Sequence, residues 1–234
     1  FGVCNYTWQH AFVTNGVVPF DASGTRCNLL NENAIEAVDF VKAINGLTKG
    51  NKVTADDFDM GNVAFMPALL SDYRTYKPYP WSIKKYTNFE LDCIPLPKGE
   101  RGDNKSTMST LLLSMNSRTN CEELAWELIK TFCYDIEIQS EIYTYKEGAS
   151  VLKTVTDYMT TMISINQVLS EEGGMDIELI TYIMDNAEPD YNFRDIASVK
   201  EIIDAGIDDI IESVMDSKIG LQMIEKRIRS FLIQ

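Results

Sequence analysis

Apolar residues recur at helical spacing through Ile35, Val38, Val41 and Ile44, behind Asn31, a residue type that caps helix starts. This spacing predicts a helix over 31–44 with one side in a core, punctuated at its end by Gly46 and Gly50. Upstream, Gly16 to Gly24 reads as a short apolar strand and a turn, since Asp21 and the glycines supply turn chemistry. Three short apolar runs follow, at Val63 to Met66, Phe89 to Leu96 and Thr110 to Met115. Each has the form of a strand buried in a parallel sheet. Pro95 and Pro97 end the second, because proline gives a ladder no donor. Residues 98–106 are polar and contain Gly99 and Gly102, which predicts a connector.

Beyond residue 120 the period is helical. Asn120 and Glu123 have capping-box spacing, and Leu124, Leu128 and Phe132 form a stripe behind them. Residues 135–142 predict a further short helix, ended near Gly148. Val155, Tyr158, Met159 and Met162 share one face, and Ile177, Ile180 and Met184 another. Ser198 and Glu201, again at capping-box spacing, lead into Val199, Ile202, Ile203, Gly206, Ile207, Ile210, Ile211 and Val214. Leu221, Ile224, Ile228 and Phe231 close the chain in the same way. Strands interleaved with helices, then helices alone, predict an α/β domain with a helical outer layer.

At 234 residues, 45% apolar and 24% charged, the chain has the composition of a globular protein of one or two domains. Its 21 Lys and Arg stand against 35 Asp and Glu, a net charge of −14 that opposes binding to a phosphate backbone or to anionic lipid. The acidity falls late: residues 1–100 hold 11 acids and 9 bases, residues 101–234 hold 24 and 12. No apolar run approaches the roughly 18 to 20 residues of a membrane span. No basic segment leading into an apolar one marks a signal peptide. The chain opens on Phe1 inside an aromatic-rich stretch, so it is expected to be a piece of a longer polypeptide, with targeting information elsewhere.

Little in the sequence points to catalysis. His10 is the only histidine, no Gly-x-Ser-x-Gly elbow accompanies it, and with Cys4 it lacks partners at metal-ligand spacing. It is expected to be a surface or packed residue. Neither a dinucleotide nor a P-loop glycine pattern occurs. Asp56, Asp57 and Asp59 lack the alternating spacing, central glycine and distal glutamate of an EF-hand loop, which leaves a solvated loop. No cofactor, metal site or catalytic residue is therefore assigned. The five cysteines include no C-x-x-C pair and read as buried small hydrophobes. Asn5-Tyr6-Thr7 and Asn104-Lys105-Ser106 match the glycosylation triplet, a pattern frequent by chance.

The aromatics are more informative. Phe1, Tyr6, Trp8 and Phe12 open the chain, and Tyr73, Tyr76, Tyr79, Trp81 and Tyr86 crowd into a polar, proline-rich stretch. Tyr143 and Tyr145 precede Gly148. Such rings offer a flat apolar face with a donor at the edge, complementary to a sugar's C–H face and hydroxyl rim. The competing expectation is that they close the ends of an ordinary sheet.

Several phrases, in order, resemble the family 1 extracellular solute-binding proteins of ABC transporters, the group that contains the maltose-binding protein. NYTWQHAFVTNGVVPFDASG at 5–24 resembles the family's tryptophan segment with its glycine and aspartate turns, and NENAIEAVDFV at 31–41 the helix that follows. FDMGNVAFM at 58–66 resembles F-x-x-G-K-x-A-M, with Asn62 for the lysine and Phe65 for the methionine. FELDCIPLPKG at 89–99 resembles the strand into P-L-P-x-G, and 111–139 the strand and helix that end near glutamine. EGASVLKTV at 147–155 resembles the G-x-P segment, with Ser150 departing toward the proline position.

The resemblance implies a type II periplasmic-binding-protein-like α/β fold, mainly its C-terminal lobe with a helical C-terminal layer. Residues 1–97 and 143–234 would build that lobe, and 98–142 would cross into an N-terminal lobe that is largely absent. It implies capture of a mono- or oligosaccharide outside the cytoplasmic membrane or in the periplasm, delivery to ABC permease subunits, and a lipid anchor on the full-length protein. Trp8 matches the tryptophan of the first segment. Asn5 aligns with a position where some relatives stack a tyrosine, and Tyr6 adjoins it. Ser71 falls where maltose-type relatives carry a stacking tryptophan, so Tyr73 or Trp81 is expected to substitute. Tyr143 and Tyr145 lie near a late crossing into the cleft, and Asp72 with Asn5 is expected to meet hydroxyls. The alternatives are a carbohydrate-active hydrolase, which needs two carboxylates about 5 or 6.5–9.5 Å apart, and a structural surface module without ligand. A chain lacking most of one lobe is also expected to self-associate through exposed apolar surface.

Overall fold

A computed structural model describes residues 1–21, 23–70, 72, 91–110, 112–145, 149–170 and 177–232. The described residues form a mostly helical structure with one small sheet. In chain order the elements are α1 (Trp8–Thr14), α2 (Glu32–Leu47), α3 (Ala55–Asp59), β1 (Thr107–Met108), α4 (Glu122–Tyr134), α5 (Ile136–Tyr145), α6 (Lys153–Ser170), α7 (Ile177–Asp185), β2 (Glu188–Pro189), α8 (Ile196–Glu212) and α9 (Ser217–Leu232). They fall into two compact units: 1–67 with 94–109 and 182–234, and 68–93 with 110–181.

The first unit is built on α1, α2, α8 and α9. Asn31 caps α2 by accepting the Ala34 amide, and the helix buries Ala34, Ala37, Val38 and Val41. Phe40 lies off that stripe and is half exposed. The predicted period of α8 packs Val199, Ile203, Ile207 and Ile210 into one core with Leu221, Ile224 and Ile228 of α9. Two glycines let these helices close up. A Cβ on Gly206 would stand 2.3 Å from Ile224 Cγ1, and one on Gly220 2.2 Å from Ile210 Cγ1.

Polar pins hold this core in register. The buried carboxylate of Glu225 on α9 accepts the Leu29 and Leu30 amides at 2.9 and 3.1 Å, and its other oxygen pairs with Arg229. Lys42 on α2 donates to the Met215 carbonyl after α8, and Ser217 donates to Asp39. Asn15, at the end of α1, accepts the Arg101 amide at 3.2 Å, while the Arg101 guanidinium bridges Glu32 and Glu36 of α2. The connector predicted at 98–106 is thereby fastened to the α1–α2 corner.

In the second unit Gln139 of α5 joins successive segments. Its amide donates to the Phe132 carbonyl, and its oxygen accepts from the Ser150 hydroxyl and the Val151 amide at 2.7 and 3.1 Å. Tyr143, Val155 and Met159 are buried. No described side chain of α4 is buried, and Leu124, Leu128 and Phe132, expected to face a core, are 73%, 58% and 45% exposed.

Sheet is scarcer than the sequence predicts. β1 pairs in parallel with β2, Thr107 opposite Glu188 and Met108 opposite Pro189. The run at Val63 to Met66 makes a single parallel bridge, Phe65 to Val3, and Phe20 bridges Cys27. Described residues 91–96, 110 and 112–115 belong to no strand. An apolar run becomes a strand only with a ladder partner, and these stretches have none among the described residues. Two caps also shift. Cys121, not Asn120, stands at the N-cap of α4, and the Thr119 hydroxyl accepts its amide. α8 starts behind Asp195, so Ser198 falls inside its first turn.

Candidate functional site

The expected ligand residues divide between the units. Asn5, Tyr6 and Trp8 lie on the entry to α1 in the first. Asp72 and Tyr143 lie in the second, as does Tyr145, of which only the backbone is described. Ser71, Tyr73 and Trp81 lie outside the described residues, with Tyr76, Tyr79 and Tyr86.

The α1 entry is the best-defined part. Asn5 is exposed in the left-handed region at φ 54°, a conformation asparagine tolerates better than most residues. The bend there follows the pairing of the Cys4 amide with the Phe65 carbonyl at 3.1 Å. Tyr6 comes next, half-buried, with its ring 5.5 Å from His10 and edge-on to Phe40 at 5.6 Å. Its hydroxyl is 3.5 Å from that of Thr14. Burial pushes the phenol above its ordinary value, and the Thr14 hydroxyl offsets this only in part.

Trp8 sits in the core of the first unit at 7% exposure, edge-on to Phe12 at 5.1 Å. Its indole N–H donates to Asp204 on α8 at 2.6 Å, so it offers a solute no free donor there. The ring fixes the first turn of α1 against α8.

Asp72 accepts the Leu69 amide at 2.9 Å and so closes a local turn. Tyr143 is 2% exposed, packed inside the second unit.

Three contacts at the α1 entry were not read from the sequence, although His10 itself was expected to be a surface or packed residue. His10 caps the turn through Thr7, Phe40 adds a half-exposed ring beside Tyr6, and Asp204 holds the indole. The Thr7-x-x-His10 spacing was a readable signal for the first. Nothing local signals the third, 196 residues from Trp8 in sequence.

Among the described residues no group of three or more His, Cys, Asp or Glu is placed to hold a metal ion. No described helix is long and apolar enough to cross a membrane. Cys27 is pushed up to about 12 by burial and then by the Glu225 charge, partly countered by Arg229, so its thiol is protonated at any physiological pH.

This architecture is similar to just over half of the fold of several solved binding proteins, an ABC substrate-binding protein among them. An ABC substrate-binding protein of Listeria monocytogenes, solved in complex with cycloalternan, matches 99% of this chain and 58% of its own, with TM-score 0.67 and 12% identity. The maltose-bound MalE3 of T. maritima matches 96% of this chain and 56% of its own, with TM-score 0.62 and 18% identity. A cyclic α-maltosyl-1,6-maltose binding protein of Arthrobacter globiformis matches 96% and 55%, with TM-score 0.65 and 12% identity. The chain thus spans between half and two thirds of the length of these structures. No family model matches the sequence, and no curated protein does.

Proposed function

We propose that the chain is part of an extracytoplasmic solute-binding protein that captures a mono- or oligosaccharide and delivers it to ABC permease subunits, on a protein held to the membrane by a lipid anchor. The observation that carries this reading is the match of 96–99% of the chain, at TM-scores of 0.62 to 0.67, to proteins solved or named with α-glucans. In this reading the solute biases an open–closed equilibrium by binding the closed form better, and no covalent step is required.

Within it, Asn5, Tyr6, Ser71, Asp72, Tyr73, Trp81 and Tyr145 are proposed to meet or border the sugar, and Tyr143, buried inside the second unit, to support them from behind. Trp8, whose indole N–H is already engaged, is proposed to act by fixing the turn that presents Asn5 and Tyr6. Residues 1–97 and 143–234 are proposed to belong to one lobe. Residues 98–142 are proposed to cross from the first unit, where 98–108 are held, toward the portion of such a protein that this chain does not span, and to pack there through α4. The exposed apolar face of α4 supports that last assignment.

Intrinsic tryptophan fluorescence of the full-length protein tests the reading, titrated with maltose, maltotriose, a cyclic glucan and unrelated peptides. A saturable response to a glucan is expected. Silence toward every sugar, with a response to a peptide or an ion, would move the solute class.

A further inference from the structure

His10 occupies the third helical position of α1, where its Nδ1 accepts the Thr7 amide at 3.1 Å and lies 3.0 Å from the Thr7 hydroxyl. The two residues form a capping box. The third position of such a box is ordinarily Glu or Gln, neither of which changes charge near neutral pH, whereas an imidazole does. A backbone amide can only donate, so Nδ1 is the bare nitrogen and the ring proton sits on Nε2. Protonation of Nδ1 sets a donor against a donor. It also adds positive charge to a helix start, where unpaired N–H groups already make the potential positive.

We propose that His10 is an acid-sensitive clasp on the turn that carries Tyr6 and Trp8. Neutral, it closes the start of α1; protonated, it lets go of the Thr7 amide. Among the described residues, burial is the influence on the imidazole, with no carboxylate acting on it to offset the added charge. Tyr6 is the titratable ring beside it. On α2, Glu36 is engaged by Arg101 and Asn15, Asp39 by Ser217, and Lys42 by the Met215 carbonyl. On α8, Asp204 is bonded to the Trp8 indole. Burial holds the imidazole below its ordinary value of 6.5, so the unfolded chain takes up this proton first as pH falls. The clasp is therefore fully effective above about 6.5 and is lost as pH drops through the lower, folded-state value. If the sugar reading also holds, maltose binding weakens over the same window, a consequence that rests on that reading.

The clasp itself is tested without sugar, by following the imidazole and the Thr7 amide by NMR from about pH 7.5 to 5. The Thr7 amide resonance is expected to move with the His10 titration. Its exchange, relative to the intrinsic rate, is expected to speed up about fivefold or more, the loss of one cap. His10→Gln keeps an acceptor at the third position and should show neither change. A Thr7 amide indifferent to the imidazole, or equal acid loosening in His10→Gln, overturns the proposal. Should that variant not fold, the wild-type titration decides alone.

Discussion

Glu225 shows what single residues contribute here. A carboxylate with 4% exposure is costly to desolvate unless both oxygens find partners, and this one holds two backbone amides and Arg229. Leu29 is fully buried, so its amide has no water to turn to once the acceptor is gone. Glu225→Ala is expected to cost about 2–3 kcal/mol in urea unfolding. Glu225→Gln, which keeps an acceptor oxygen, should cost clearly less. Equal losses in the two variants would mean that packing, not acceptance, sets the effect. Trp8 marks the limit of reading residues from sequence. Its type and aromatic neighbourhood were visible in the chain, but its partner Asp204 lies on α8, and only the packed fold brings that carboxylate to the indole. The ring thus read as a platform sits in a core against Phe12, and the less buried rings near the α1 entry are Tyr6 and Phe40, which meet each other.

Among elements, the long stripes were legible and the short runs were not. α2, α8 and α9 repeat their apolar spacing over four or more turns, and each repeat meets one shared core. A four- to eight-residue apolar run carries no such redundancy. Whether it becomes a strand depends on a partner far away in sequence, as with Thr107 beside Glu188. The capping-box spacing at Asn120 misled for a related reason, because the Thr119 hydroxyl accepts the Cys121 amide and starts the helix one residue later. The α8–α9 contact yields the sharpest element-level expectation. Gly206 and Gly220 each face an isoleucine of the opposite helix, with no room for a methyl group. Gly206→Ala should therefore destabilise by roughly 1–3 kcal/mol, although alanine is the better helix former by about 1 kcal/mol. Gly206→Ala combined with Ile224→Ala should cost less than the sum of the two single variants, because it removes the Cγ1 and Cδ1 that block the new methyl. Unfolding midpoints of the single and double variants check this, and a stabilised Gly206→Ala would show that the helices simply move apart.

At the scale of the whole molecule, the open question is what α4 is for. Its Leu124, Leu128 and Phe132 are spaced as a core stripe, yet all three are largely exposed in a chain that spans 55–58% of the solved structures reported above. A stripe in contact with water gives back little of the burial that such spacing normally secures, and it favours association between copies. The double variant Leu124→Gln/Leu128→Gln separates the possibilities. In this chain alone, each change should alter stability by no more than about 0.5 kcal/mol, as surface substitutions do, while lowering any self-association seen by sedimentation. In a full-length protein where α4 packs into a second lobe, the same changes remove two buried leucines and should cost at least about 2 kcal/mol each. Equal tolerance in both proteins would remove the argument for a covered α4, and with it the proposed placement of residues 98–142. A large loss confined to the longer protein would show that the stripe was written for a partner that this chain does not contain.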